Sequence, residues 1–184
     1  MHHSVQAPPG RPRGFTLVEL CVTVAVLVIV LAVAAPSIRR LIDRTSLRAS
    51  ASVVRTDLQY VRSAAAARNE MLWLELQSGP DGSCYSLHDG AQGDCRCTPD
   101  GHADCPSSAR ALKVTGFPSN GAVQVSANVK SLRYDPDRGT VSPTATFTLT
   151  SRSGEAVQHT VNVLGRIKTC SPASQVPGYA SCKS

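Results

Sequence analysis

The stretch Arg11-Pro12-Arg13-Gly14-Phe15-Thr16-Leu17-Val18-Glu19-Leu20 runs directly into an apolar segment, Cys21 to Ala35. Residues 20–35 are apolar apart from Thr23. With Phe15 to Glu19 they form a run of about 21 positions, which at about 1.5 Å per residue spans a bilayer as one helix. A carboxylate in the first turns of such a run costs at least a few kcal/mol, so Glu19 reads as a functional group that needs a partner. An ordinary secretory signal also combines a basic leader with an apolar core, but an acid would spoil that core.

A basic leader ending in Gly14 and followed by Phe15-Thr16-Leu17-Val18-Glu19-Leu20 resembles the prepilin peptidase site of type IV pilins and type II secretion pseudopilins. The resemblance implies cleavage between Gly14 and Phe15 by a prepilin peptidase and N-methylation of the new Phe15 amine. It also implies that Glu19 neutralises the Phe15 amine of a neighbouring subunit in a filament. Pro36 is the twenty-second residue after the implied cut, where related pilins also carry a proline. It should kink the helix where it leaves the membrane, because it removes one backbone hydrogen bond.

Orientation rests on two opposed signals. Arg11 and Arg13 in an acid-free leader favour a cytoplasmic N-terminus, whereas Arg39 and Arg40 just after the span favour the reverse. The leader and the resemblance decide for a single-pass inner-membrane protein whose bulk faces the periplasm and, after assembly, the cell-surface pilus. Without residues 1–14 the chain keeps 17 of 19 Lys and Arg against all 13 acids, a net of +4. The charges are segregated: seven arginines lie between Arg39 and Arg68, and five aspartates between Asp81 and Asp104. From Arg138 onward there are five bases against Glu155, which predicts a bipolar surface.

Beyond the span, Val54, Leu58, Val61 and Ala65 recur at helical spacing, with Arg55, Arg62 and Arg68 off that stripe. The helix should therefore continue, amphipathic, to about Asn69. Six runs read as strands: Met71 to Leu76, Cys84 to His88, Ala111 to Thr115, Ala122 to Val129, Ala145 to Thr150 and Ala156 to Leu164. In the last, Val157, Val161 and Val163 should face one way, and Gln158, Thr160 and Asn162 the other. The expected fold class is α+β, a long helix packed on an antiparallel sheet. Its parts are a leader (1–14), a membrane and filament-core helix (15–36), an amphipathic continuation (37–70) and a β-rich domain (71–184). That domain holds a Cys-rich loop (79–108) and a basic tail (165–184).

Cys21 lies in the span and acts as a small apolar residue. The other six cysteines fall in the exported domain, where up to three disulfides are expected. Cys170 with Cys182 would close a short Pro- and Gly-bearing loop. Cys95 and Cys97 are too close to pair with each other and should bond to Cys84 or Cys105. A zinc site from Cys95, Cys97, His102 and Cys105 fits in ligand number but poorly in spacing, and the compartment is oxidising, so no metal is expected. His88, His102 and His159 are scattered, and no nucleophile elbow or phosphate-binding glycine motif occurs. The chain reads as a non-enzyme without a cofactor.

The segment Asp57 to Glu70, leading into Met71 to Leu76, resembles the helix-to-strand transition of the GspH/FimT family of minor pilins and pseudopilins. Gly165-Arg166-Ile167-Lys168-Thr169-Cys170 is similar to the Gly-Arg-x-Arg element of FimT proteins, minor pilins that bind DNA in natural transformation. Lys168 replaces the second Arg, keeping the charge but losing the bidentate fork. The resemblance implies a subunit that assembles with major and minor pilins and holds double-stranded DNA through Gly165, Arg166 and Lys168. Lys183 and Arg152, and Arg138 on an adjacent loop, would extend the patch. Two to five phosphate contacts predict weak, sequence-independent binding with a log-log salt slope of about −0.9 per phosphate. Two other functions compete: a GspH-like structural or pilus-priming subunit, and a tip adhesin using the Cys-rich loop.

Overall fold

A computed structural model of the 184-residue chain describes residues 14, 16–172 and 176–182. It divides into two compact units, Met1–Arg39 and Arg40–Ser184. The expected positions Phe15 and Lys183 lie outside the described residues.

One helix, α1 (Leu17–Arg68), supplies the described secondary structure of the first unit and the only α-helix found among the described residues of the second. Thr16 starts it: its side-chain Oγ1 accepts the Glu19 N–H at 3.2 Å, and its carbonyl accepts the Leu20 N–H at 3.1 Å. Thr16-Leu17-Val18-Glu19 thus has the spacing of a capping box, and the Glu19 charge sits where the helix dipole favours an anion. Its N-terminal part is apolar and unburied, as for a helix long and apolar enough to cross a membrane. The helix assignment continues through Pro36. Its end is set by Asn69, which adopts a left-handed φ of 53°, and by the Glu70 N–H returning to the Ala65 carbonyl at 3.2 Å. This is a Schellman-type cap with Asn in the place usual for Gly.

The described residues of the second unit form eleven strands. They are β1 (Leu72–Gly79), β2 (Gly82–His88), β3 (Arg96–Cys97), β4 (Ala103–Asp104), β5 (Ala111–Pro118), β6 (Val123–Ala127), β7 (Ser131–Asp135), β8 (Thr140–Ser142), β9 (Ala145–Ser151), β10 (Ala156–Val161) and β11 (Ile167–Cys170). A five-stranded sheet runs β5-β2-β1-β7-β8 and a four-stranded sheet β11-β10-β9-β6, all antiparallel. The buried stripe of α1, Leu47, Ala51, Val54, Leu58, Val61 and Ala65, joins one core cluster with Leu72, Leu74, Tyr85, Leu87 and Leu132 of the larger sheet. Phe147, Leu149, Val157 and Val161 of the smaller sheet complete that cluster. Burial of such surface contributes about 25 cal/mol per Å². Asp57 breaks the apolar rule on this face. It is 1% exposed and accepts from Tyr85 Oη at 2.7 Å, Lys113 Nζ at 2.5 Å and Thr115 Oγ1 at 3.2 Å.

The last expected strand is shorter than its β-branched composition predicts. It stops at Val161, and Asn162 to Gly165 form a turn in which Val163 and Leu164 are each 52% exposed. The Cys-rich stretch is also narrower than 79–108, because β1 runs to Gly79 and β2 restarts at Gly82 across a Pro80-Asp81 turn. The remaining segment, with the small β3–β4 hairpin, covers the face of the larger sheet opposite α1. Trp73 Nε1 donates to the Gly90 carbonyl at 3.2 Å, Gly93 N–H to Glu75 Oε1 at 2.6 Å, and Cys97 N–H to Gln77 Oε1 at 3.1 Å. A Cβ at position 116 would fall 1.9 Å from the Pro99 carbonyl oxygen, so only Gly116 admits this cover. Disulfides Cys84–Cys97 and Cys95–Cys105 staple it, and Cys170–Cys182 closes the C-terminal segment. Cys95, Cys97 and Cys105 are thereby removed as thiolate ligands, which dissolves the zinc alternative.

Candidate nucleic-acid interface

The Gly165-Arg166-Ile167-Lys168 element forms the end of the β10–β11 turn and the start of β11, an edge strand. Gly165 has φ 67° and donates its N–H to the Asn162 carbonyl at 2.8 Å. The Asn162 N–H meets the Arg166 carbonyl at 3.1 Å, and Asn162 Oδ1 takes the Arg166 N–H at 2.8 Å. This is a type I turn closed by a glycine bulge, which requires the left-handed region at Gly165. The Val163 carbonyl also accepts the Val141 N–H at 2.7 Å, so the turn is fixed to β8.

Along β11, Ile167 and Thr169 are half-buried toward α1, while Lys168, opposite Thr160, is exposed. Thr169 Oγ1 lies 2.9 Å from His159 Nδ1, and His159 Nε2 lies 2.9 Å from the Ala51 carbonyl. A carbonyl only accepts, so Nε2 carries the proton and Nδ1 accepts from Thr169. Burial lowers the His159 pKa to about 4; the Ala51 carbonyl opposes the shift and the charge of Arg55 adds to it. His159 is thus a core residue that ties β10 to α1.

The implied patch is not assembled as a whole. Arg166 and Lys168 are both exposed on one edge. Arg152 sits at the β9–β10 turn, the opposite end of β10, about 16 Å or more away at about 3.3 Å per residue. Its guanidinium donates to the carbonyls of Asn120 and Gly121. Arg138 is held by Asp135, Nη1 to Oδ2 at 3.0 Å. Arg152 does not belong with Arg166, because antiparallel pairing carries consecutive turns to alternate ends of a sheet, whereas Arg138 lies in the β7–β8 turn, whose Asp135, Gly139 and Val141 share a recess with Arg62.

The structure instead brings a helix residue to the element. Arg62 lies over Gly165, where a Cβ would stand 2.9 Å from Arg62 Cδ and 3.1 Å from its Nε. Gln59, Arg62, Ser63 and Ala66 of α1 face Gly165, Arg166 and Ile167 across a groove of about 540 Å³. Among the described residues, neither Arg62 nor Arg166 has a carboxylate within ion-pair distance. The one signal in the sequence is the seven-residue spacing of Arg48, Arg55 and Arg62, which sets a row along one side of a helix.

Comparison with known proteins fixes the family. The profile described as type II transport protein GspH matches residues 50–165, most of the chain. The chain belongs to the GspH family. This GspH-family protein also matches the prokaryotic N-terminal methylation motif over residues 10–35. Its fold is similar to that of the type IV minor pilin FimU of Pseudomonas aeruginosa PAO1, with TM-score 0.52 and 19% identity over 74% of this chain and 96% of that one. No curated protein matches it. Long helix, antiparallel sheets and disulfides are thus those of the type IV pilin fold, on an N-terminal segment of the inner-membrane-anchored kind.

Proposed function

We propose that this GspH-family pilin is a minor subunit of a type IV filament that holds double-stranded DNA at the start of β11 for uptake in natural transformation. The observation that carries the reading is the pair Arg166 and Lys168. Both are exposed on one edge strand, held by a rigid turn and free of acidic partners among the described residues, in an element similar to Gly-Arg-x-Arg. Guanidinium and ammonium groups so placed attract phosphates without reading bases. In this reading the peptidase cuts after Gly14, and Glu19 meets the amine of Phe15 of the next subunit. The chain passes from the inner membrane to the periplasm and pilus, where other pilins are its neighbours.

The test is a duplex-DNA mobility shift at low salt with the full chain in nonionic detergent. Replacing both Arg166 and Lys168 with Gln should abolish the shift while far-UV and near-UV spectra stay unchanged. Binding that survives the double replacement removes the site. A structural role in filament priming or type II secretion is the second reading, favoured by the family match itself. It predicts no DNA shift at all and loss of filament assembly or secretion when the protein is deleted.

A further inference from the structure

We infer that the phosphate seat is a trough shared between α1 and β11, in which Arg62 of the helix contacts the DNA backbone opposite Arg166. The inference rests on the DNA reading above and extends it to residues that lie about a hundred positions away in the chain.

Three observations place Arg62 there. Its side chain crosses Gly165, the one residue of the turn that lacks a Cβ, and lines the groove. The groove of about 540 Å³ has Arg62 on one wall and Arg166 on the other, with the Gln59 amide adding a neutral donor. Arg62 also lines a neighbouring recess of about 130 Å³, in which the buried Tyr134 hydroxyl has no hydrogen-bond partner among the described residues. Two guanidiniums facing one cleft without a carboxylate repel each other. An anion between them removes that repulsion and satisfies both forks at once.

The chemistry of the occupant follows from the walls. The donors converge from two elements on a cleft open to solvent, which suits a phosphodiester chain passing through better than an enclosed small anion. Arg55, one heptad before Arg62 and about 10.5 Å along the helix, acts on His159 beneath β11 and extends the basic wall along α1, whereas Lys168 lies on the opposite face of β11. The trough therefore tracks a backbone and offers no base-reading geometry.

The experiment compares the full chain in nonionic detergent with Arg62→Gln, Arg62→Lys and the Arg166→Gln/Lys168→Gln double variant, by fluorescence anisotropy with a short labelled duplex over a salt series. Thermal melting checks each fold. Arg62→Gln should bind roughly tenfold more weakly, the effect of one lost charge-assisted hydrogen bond, and its log-log salt slope should shrink by about 0.9. Arg62→Lys should keep the slope and recover part of the affinity. Duplex affinity unchanged in Arg62→Gln, with the double variant inactive, overturns the trough and leaves the β11 site standing. Failure of the unaltered chain to bind duplex overturns both. Weaker binding of Arg62→Gln to phosphatidylglycerol vesicles, with duplex affinity unchanged, assigns the groove to a membrane surface and likewise overturns the proposal.

Discussion

Replacing Asp57 with Ala isolates the polar lock between α1 and the larger sheet. The carboxylate is 1% exposed and receives three side-chain donors: Tyr85, Lys113 and Thr115. Tyr85 is fully buried, so its hydroxyl loses its acceptor with no water to replace it, a cost of about 1–3 kcal/mol. The Lys113 side chain is 42% exposed and can turn to solvent, so breaking this pair costs less than the about 3–5 kcal/mol of a fully buried one. Together the substitution should destabilise by about 2–4 kcal/mol, a large share of the about 5–15 kcal/mol typical of a domain. Asp57→Asn keeps an oxygen for Tyr85 and Thr115 but loses the charge and the acceptor of Lys113, which can turn to solvent, so it should cost about half as much. Equilibrium urea unfolding of the compact unit Arg40–Ser184, whose buried core begins at Leu47, measures both. The midpoint should fall with the slope unchanged. A loss below about 1 kcal/mol for Asp57→Ala, or a larger loss for Asn than for Ala, refutes the lock.

Three further predictions concern other parts of the chain. His159 is neutral in the fold down to about pH 4, whereas the unfolded chain protonates it near the ordinary value of 6.5. Its contribution is therefore complete above pH 6.5 and is lost as pH falls toward 4, by up to about 3 kcal/mol. His159→Gln should flatten that slope in urea titrations between these pH values. Replacing Cys170 and Cys182 with Ser opens a loop of sequence separation 12 and should cost about 3 kcal/mol on the chain-entropy account, read from the same unfolding curves. Gly14→Leu should leave the leader attached in cells that hold a prepilin peptidase. Mass spectrometry would then find residues 1–14 still present, and a normally shortened, methylated product would contradict the assigned cut.

The helix and most of the sheet were legible because their signals are periodic and long. Val54, Leu58, Val61 and Ala65 repeat at helical spacing, and all four are buried. β9 alternates Ala145, Phe147 and Leu149 inward with threonines between. Short strands defeat that logic. In β7 only Leu132 and Tyr134 are apolar, and β11 has Ile167 alone before its cysteine, too few positions to establish a period. Val163 and Leu164 mislead in the other direction, since β-branched and aliphatic residues lengthen the apparent strand while Gly165 has already closed the turn. Glu19 was read for its charge, but Thr16-x-x-Glu19 also announces a helix start. At the candidate site, Arg166 and Lys168 are adjacent in sequence and could be read together. Arg62 could not, because its approach to Gly165 depends on the helix packing beside the β10–β11 hairpin. Arg152 shows the opposite error, since sequence proximity to a strand says nothing about which end of the sheet a turn occupies.

The cover over the face of the larger sheet opposite α1 is separate from the hydrophobic core. Between Asp89 and Arg110 no residue joins the hydrophobic core cluster, and its two disulfides close within Cys84 to Cys105. The floor beneath it is mainly polar, with Glu75, Ser86, His88 and Ser131 beside Trp73 and the Cys84 disulfide. Stripping the cover would uncover mainly hydrophilic side chains that water can serve, with Trp73 as the apolar exception, leaving the helix-bearing side of the sheet untouched. The segment is thus held on by its own two disulfides and by polar contacts, so a change within it should alter this face of the domain and leave the core unmoved.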